Sequence, residues 1–253
     1  MTLDSTRRFS NRVDDYVKYR PNYPHAALEF LREQRGLTRG ARVADLGSGT
    51  GILTAQLLDA GARVWAVEPN TQMRAAAERL LGGRSGFTSV AGSAEATTLD
   101  AQSVDWVTAG QAFHWFEPES TRREALRILV GGGQVALLWN EHSEEPLPFL
   151  ADYDALLRRH APEYDQVRSL RADGATMRTF FGREPERVVF AHQQIFDFEG
   201  FKGRAMSSSY VPVPGAPGYE PLLAGLREVF ERHQRDGTVV FAYQTLVFFG
   251  TLA

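Results

Sequence analysis

Short apolar runs alternate with segments of helical periodicity through the first 140 residues of the chain. The runs that we interpret as strands are Arg42–Leu46, Arg63–Val67, 87–91, 104–109 and 134–139. After the first run, apolar residues recur one turn apart at Leu53, Leu57 and Leu58, which indicates an amphipathic helix. This alternation of strand and helix is typical of a parallel sheet that helices cover on both faces.

Two further helices are predicted at 70–81 and 117–129 from the same periodicity. We expect Thr50 to cap the helix that follows the first strand, because a threonine hydroxyl can accept from a free backbone N–H. The three glycines at 131–133 are expected to end the later helix sharply and to lead into the next strand.

The regular alternation stops after residue 139. The segment that follows is charged, contains four prolines and is helical in pattern near 149–160, so it is too long for a simple loop and predicts a helical insertion. Strand-like runs resume at 188–198 and 238–249, with a helical pattern at 222–234 between them. The last run is rich in Val, Phe and Tyr, which favours a central or next-to-edge strand.

A glycine turn joins the first strand to the first helix. It has the form Asp45-x-Gly47-x-Gly49-x-Gly51, and an acid, Glu68, ends the second strand 21 positions after the first glycine. A strand, a glycine turn and a second strand that ends in a carboxylate form a nucleoside-binding half of a doubly wound fold. The alternative is that the glycines serve only the turn.

The glycine spacing differs from the dinucleotide fingerprint Gly-x-Gly-x-x-Gly, which requires glycine where this chain has Ile52. A nicotinamide-dependent oxidoreductase is therefore disfavoured. The observed pattern instead resembles the first motif of the class I S-adenosylmethionine-dependent methyltransferases. The resemblance implies S-adenosylmethionine as the cofactor and an α/β, doubly wound, seven-stranded and mostly parallel Rossmann-like sheet with an antiparallel C-terminal strand.

The same resemblance predicts one methyltransferase domain over residues 1–253. Its parts are an N-terminal lid at 1–35, a cofactor-binding half at 36–140, a helical insertion at 141–187, and C-terminal strands and helix at 188–253. We expect the lid and the insertion to close over the substrate after the cofactor binds.

The resemblance also implies a set of cofactor-binding residues. They are Asp45, Gly47, Ser48, Gly49, Gly51, Glu68, Pro69, Met73, Ser93, Ala94, Glu95 and Gln111. Within this set, Glu68 accepts hydrogen bonds from the ribose hydroxyls, Ala94 packs on the adenine ring, and Glu95 accepts from its exocyclic amine. In the alternative interpretation Glu68 is a solvated helix-cap acid, Met73 packs against the sheet, and Ser93 with Glu95 forms a turn and a cap.

The fourth strand leads into Gln-Ala-Phe-His-Trp-Phe at 111–116, where ligands of such a sheet bind. This segment is similar to a small-molecule subgroup that includes the trans-aconitate methyltransferase relatives, and the segments at 16–24 and 207–212 support the same subgroup. The catalytic candidates are His114, as a general base or a structural histidine, and Arg20, as a carboxylate ligand or a brace for the lid.

The amino-acid composition makes several classes of partner and chemistry unexpected for this chain. The formal net charge is −3 without a dense basic cluster, so we expect no nucleic-acid substrate. The chain has no cysteine, which excludes disulfides, thiolate zinc sites and cysteine-dependent methylation, and we predict no metal site. Without an apolar run of membrane length, we expect no membrane partner, a cytoplasmic location, and a monomer or homodimer.

The predicted function is methyl transfer from S-adenosylmethionine to a small molecule, at a carboxylate or hydroxyl oxygen. Carbon methylation of a quinone or polyketide-like precursor is one alternative. A cofactor-binding module without transferase activity is the other.

Overall fold

Seven strands form one sheet in the computed structural model, which describes residues 13–142, 147–169 and 174–253. The strands are β1 Arg42–Leu46, β2 Arg63–Val67, β3 Phe87–Val90, β4 Val104–Gly110, β5 Leu129–His142, β6 Glu186–Phe196 and β7 Val239–Gly250. Their order across the sheet is β3-β2-β1-β4-β5-β7-β6. Strands β1 to β5 are parallel, and β7 runs antiparallel to both β5 and β6. The predicted fold class is confirmed, including the position of the last strand next to the edge.

Helices cover both faces of this sheet. They are α1 Val13–Tyr19, α2 His25–Arg35, α3 Ile52–Asp59, α4 Thr71–Leu81, α5 Pro118–Ile128, α6 Pro148–His160, α7 Tyr164–Ser169, α8 Gly174–Phe181, α9 Phe198–Met206 and α10 Tyr219–His233. Successive strand residues point to opposite faces, so Val43 joins the cluster beneath α2 and α3 while Ala44 joins the cluster with α5 and α8.

The helices after β5 build a third apolar cluster. Phe149 and Tyr153 of α6 and Phe201 of α9 pack against Phe241 at the start of β7. The predicted helical character of 141–187 is confirmed by α6, α7 and α8, whereas the boundaries of the predicted domain and its parts stay predictions. Among the described residues no helix combines the length and the apolar character that crossing a membrane requires.

Two local predictions are wrong. Gly51, at φ +88°, is the N-cap of α3 without a side-chain cap, and the Thr50 hydroxyl is buried without a hydrogen-bond partner. The glycines at 131–133 do not stop a helix, because α5 has already ended at Ile128. They lie inside β5, where the ladder with β4 is interrupted and regular pairing resumes at Gln134.

Candidate functional site

The glycine turn lies at the carboxyl end of β1, where the strand order reverses between β2 and β4. Gly47, Gly49 and Gly51 all have positive φ, at +62°, +59° and +88°. A Cβ on Gly47 would lie 2.7 Å from the Ala112 Cβ, and one on Gly51 would lie 2.5 Å from Leu81 Cδ1. A Cβ on Gly49 would meet no atom within 4 Å. Gly49 therefore presents bare backbone to the cleft, whereas Gly51 allows α4 to pack.

Glu68, at the end of β2, is 8% exposed and accepts two backbone hydrogen bonds. Its Oε2 accepts from the Gly49 N–H at 2.9 Å, and its Oε1 accepts from the Asn70 N–H at 2.7 Å. Burial raises the pKa of this carboxyl against the opposing effect of these two donors. Each oxygen retains a lone pair that can accept from a ribose hydroxyl. The alternative of a solvated cap acid is wrong, because the helix cap is Asn70 instead.

Asp45 is fully buried beneath the turn. The Thr54 hydroxyl donates to its Oδ2 at 2.6 Å, and the Thr108 hydroxyl donates to its Oδ1 at 3.0 Å. Burial raises the pKa of Asp45 to about 6. This carboxyl joins β1 to α3 and β4, so it holds the turn in place from below.

Three neighbouring cavities surround the turn. The Glu68 cavity, of about 170 Å³, is lined by Gly47, Gly49, Glu68, Pro69, Met73, Ser93, Ala94, Glu95 and Gln111. The Ser48 cavity, of about 40 Å³, is lined by Asp45, Gly47, Ser48 and Gly49 together with Arg20. The structure therefore brings eleven of the twelve predicted cofactor residues to two cavities, and Gly51 is the exception.

Three side chains of the Glu68 cavity also pack or bond within the protein. Met73 is 4% exposed and Ala94 is 3% exposed, so both form its apolar wall. The Glu95 Oε1 accepts from the Glu117 N–H at 3.0 Å. Met73 thus packs and Glu95 bonds to the backbone at the start of α5, while both also line the cavity.

The third cavity, here called the His114 cavity, has a volume of about 150 Å³. Both predicted catalytic residues, His114 and Arg20, line it. Gln111 has φ +58°, and its side-chain amide donates to the Asn140 carbonyl at 2.8 Å. Gln111 and Tyr16 line all three cavities, so they form the wall that the three share.

Several residues of the His114 cavity were not predicted from the sequence, among them His142 and Arg204. His142 ends β5, and its Nδ1 lies 3.6 Å from Asp154 Oδ1, which also accepts from the Tyr164 hydroxyl at 2.7 Å. Arg204 lies in α9, for which no helix was predicted. The signal that was available is the position of Arg204 three residues before the 207–212 segment.

Among the described residues, no three His, Asp or Glu side chains are grouped closely enough to hold a metal ion. The groups that could bind a ligand at this site are the glycine turn, the buried acids Glu68 and Asp45, and the cationic and aromatic side chains of the His114 cavity.

A glycine turn, a buried acid after β2 and a cleft at the reversal of strand order define a doubly wound protein that binds a nucleoside cofactor. Residues 44–137 match a family model described as a methyltransferase domain. The match supports assignment of this segment to the class I S-adenosylmethionine-dependent methyltransferases. The predicted family and its cofactor are confirmed at this level, and the trans-aconitate subgroup stays a prediction.

Similar proteins carry the same description. An uncharacterized methyltransferase of Mycobacterium tuberculosis is 37% identical over 145 residues, which cover 56% of this chain and 55% of the relative. One of Schizosaccharomyces pombe is 31% identical over 157 residues, covering 60% of each chain. The alignments thus span little more than half the length of these relatives. A proposed type II methyltransferase from Anaeromyxobacter dehalogenans shares the fold with a TM-score of 0.66 and 22% identity over 92% of this chain and 98% of that one.

Proposed function

We propose that this protein transfers a methyl group from S-adenosylmethionine to an oxygen of a small-molecule acceptor. The observation that carries the proposal is the arrangement of the cavities. The His114 cavity shares Gln111 and Tyr16 with both cavities around the glycine turn, so an acceptor there lies next to a cofactor bound at the turn.

The residues at the turn fit the cofactor. Gly49 offers open backbone, Glu68 offers acceptor lone pairs for the ribose, and Met73 with Ala94 forms an apolar wall for a planar base. Arg20 lines the Ser48 cavity, where a guanidinium can pair with the carboxylate of an amino-acid tail. When bound, the cofactor supplies a methyl group on a sulfonium sulfur.

The role of the protein is then to position the acceptor and to exclude water. Trp115 and Trp139 line the His114 cavity, and the side chain of Gln111 is fixed by its hydrogen bond to Asn140. Rigid walls of this kind hold two reactants in line, and correct alignment alone can account for about 7 kcal/mol or more of a barrier.

Whether a base is needed depends on the oxygen that is methylated. A carboxylate is already a competent nucleophile, whereas a hydroxyl must lose a proton during the reaction. We propose His114 as the acceptor of that proton, because its ring lines the His114 cavity beside Trp115, with ring centroids 4.8 Å apart.

Carbon methylation is the second candidate, and one relative favours it. A demethylmenaquinone methyltransferase of Clavibacter sepedonicus is 31% identical over 135 residues, which cover 53% of this chain and 54% of the relative. The aromatic side chains of the His114 cavity are also compatible with a quinone ring. Oxygen and carbon methylation give products that differ in the position of the new methyl carbon.

The test is to incubate the protein with S-adenosylmethionine carrying a ¹³C methyl group and a panel of carboxylates, phenols, aliphatic alcohols and quinols. We expect a product whose methyl carbon resonates near 50–60 ppm, as methyl esters and ethers do. A new methyl signal near 10–25 ppm that belongs to the product and not to the labelled cofactor contradicts oxygen transfer and supports carbon methylation. Tight binding of S-adenosylhomocysteine without transfer to any acceptor supports a binding module.

A further inference from the structure

Two arginine side chains from distant parts of the chain converge on one serine beside the His114 cavity. Arg20, after α1, donates from Nη2 to the Ser207 carbonyl at 2.9 Å and to the Ser208 hydroxyl oxygen at 3.4 Å. Arg204, in α9, donates from Nη1 to the same hydroxyl oxygen at 3.3 Å. Both arginines line the His114 cavity, so two positive charges meet at its wall.

In the described part of the chain these charges have no acidic counterpart. Among the described residues no carboxylate forms an ion pair with Arg20 or Arg204; their contacts are with hydroxyl, carbonyl and aromatic groups. Arg204 donates from Nε to the Tyr243 hydroxyl at 2.9 Å, and the guanidinium of Arg20 lies 4.9 Å from the centre of the Tyr16 ring. Glu141 also lines the cavity, but the ion pairs within the described part of the chain include none between it and either arginine.

Arg204 is buried, and Arg20 is partly buried. Arg204 is 7% exposed, and the Nε of Arg20 is buried without a hydrogen-bond partner. Burial, followed by repulsion from Arg204, lowers the pKa of Arg20. A buried guanidinium without a counter-charge is costly, and two that repel each other are costlier still. The arrangement becomes favourable when an anion enters the cavity.

We propose that Arg204 binds a carboxylate group of the methyl acceptor, an inference that rests on the proposed function. Arg20 lines both the Ser48 cavity and the His114 cavity, whereas Arg204 lines only the latter of these two. Of the two arginines, Arg204 is therefore the one that would contact the acceptor and not the cofactor. Its Nη2 makes no hydrogen bond within the described residues, so that donor is available to a ligand, as are the donors that Arg20 does not use.

The size and the aromatic walls of the His114 cavity determine which carboxylates fit. The cavity measures about 150 Å³, and the aromatic side chains of Trp115, Trp139 and Tyr210 line it. A small acid with an apolar or aromatic body places its charge at the arginines and its body against these rings. Inorganic phosphate shares the charge but lacks the body, so it distinguishes carboxylate recognition from general anion binding.

The experiment is a calorimetric titration of benzoate, benzamide and inorganic phosphate into protein that is saturated with S-adenosylhomocysteine. Saturation fills the cofactor site, including the position of its own carboxylate. We expect benzoate to bind about tenfold or more tightly than benzamide, because only benzoate supplies the counter-charge. Arg204→Gln should weaken benzoate binding by about tenfold or more while the affinity for S-adenosylhomocysteine stays within about threefold.

Two further variants separate recognition from folding. Arg204→Lys keeps the charge and should retain part of the benzoate affinity, because lysine lacks the planar fork of donors. Arg232→Gln is the matched control, since Arg232 is an exposed arginine that pairs with Asp152 away from the cavity. It should bind benzoate as the wild type does. Thermal unfolding of Arg204→Gln without benzoate checks that this variant folds, because it loses the hydrogen bonds from Arg204 to Tyr243 and Ser208.

Three results would overturn this assignment. They are equal benzoate affinity in the wild type and Arg204→Gln, phosphate binding without benzoate binding, and no binding of benzoate to the saturated wild type. In each case S-adenosylhomocysteine still binds, so the proposed function stands. If S-adenosylhomocysteine itself fails to bind the wild type, the proposed function fails first.

Discussion

Individual side chains at this site combine a structural role with a position that a ligand can reach. Glu68 holds the turn through Gly49 and begins α4 through Asn70, and it also lines the Glu68 cavity. Asp45 is enclosed by two threonine hydroxyls, so its carboxyl supports the turn from below. Substitution of Glu68 should therefore affect both ligand binding and the turn, whereas substitution of Asp45 should affect the turn.

At the scale of single residues, His114 tests the chemistry of the acceptor. We expect His114→Ala to lower kcat/KM by about 10²–10⁴-fold on a hydroxyl acceptor, because the general base is lost. On a carboxylate acceptor the same variant should keep most of the activity. The measurement is the pH–rate profile of both proteins on one acceptor. A hydroxyl acceptor whose wild-type profile shows no limb near neutrality would argue against this role for His114.

The location of the candidate cofactor residues around one turn was predictable because a motif fixes their order along the chain. The spacing from Gly47 to Glu68 indicates which strand ends lie together. It does not indicate which backbone and side-chain atoms face each other, so the hydrogen bond from Gly49 to Glu68 appears only in the structure. Arg204 was missed because its relation to Arg20 is a contact across 184 residues, which no local pattern records.

At the scale of secondary-structure elements, substitutions in the glycine turn distinguish effects on ligand binding from effects on folding. Gly49 faces open space in two cavities, whereas Gly51 faces Leu81 of α4. Gly49→Ala should weaken S-adenosylhomocysteine binding at least about tenfold, because its methyl group occupies the space of the ligand. It should destabilise the fold by only about 1 kcal/mol, the cost of a positive φ for alanine.

Gly51→Ala is the matched control for this prediction. Its Cβ would lie 2.5 Å from Leu81 Cδ1 at φ +88°, so we expect the larger loss of folding stability here. Thermal unfolding and calorimetry on both variants make the comparison. A Gly49→Ala protein that binds as tightly as the wild type would show that the ligand does not approach this backbone.

Element boundaries were harder to predict than element types. The strand predicted at 134–139 is the regular part of β5, but the strand itself starts at Leu129 and contains the glycines. A glycine run looks the same in sequence whether it ends a helix or interrupts a ladder, and only the pairing with β4 distinguishes the two. Helix α9 was missed because Gly200 and Gly203 weaken its periodicity.

On the scale of the whole molecule, the N-terminal helix joins the two halves of the site. Tyr16 of α1 lines all three cavities, and Arg20 reaches Ser207 beyond α9. We predict that S-adenosylhomocysteine slows tryptic cleavage after Lys18, because bound ligand holds this segment against the cavities. Mass spectrometry of a digestion time course measures this effect. Unchanged cleavage after Lys18 would contradict closure of the predicted lid.

The stability of the molecule should depend on pH through Glu124. This carboxylate accepts hydrogen bonds from Arg127 and from Thr97, which lower its pKa from 4.5 to about 2. The resulting stability is present above pH 4.5 and is lost as the pH falls towards 2, because the unfolded state binds the proton first.

Glu124→Gln removes this charge. We expect the variant to be about 1–3 kcal/mol less stable at pH 7 and nearly equal to the wild type at the acid end of that range. Urea unfolding at several pH values gives the two free-energy curves. A difference that stays constant from pH 7 to pH 3 would show that Glu124 contributes by packing rather than by charge.

Every proposal above requires that the glycine turn and Glu68 bind S-adenosylmethionine. The most direct test is calorimetric titration with S-adenosylhomocysteine of the wild type, of Glu68→Ala, and of the exposed control Glu231→Ala. We expect a dissociation constant of about 1–100 μM for the wild type and control, and a loss of about 100-fold in Glu68→Ala. Absence of binding to the wild type, or equal binding to all three proteins, would contradict this binding mode.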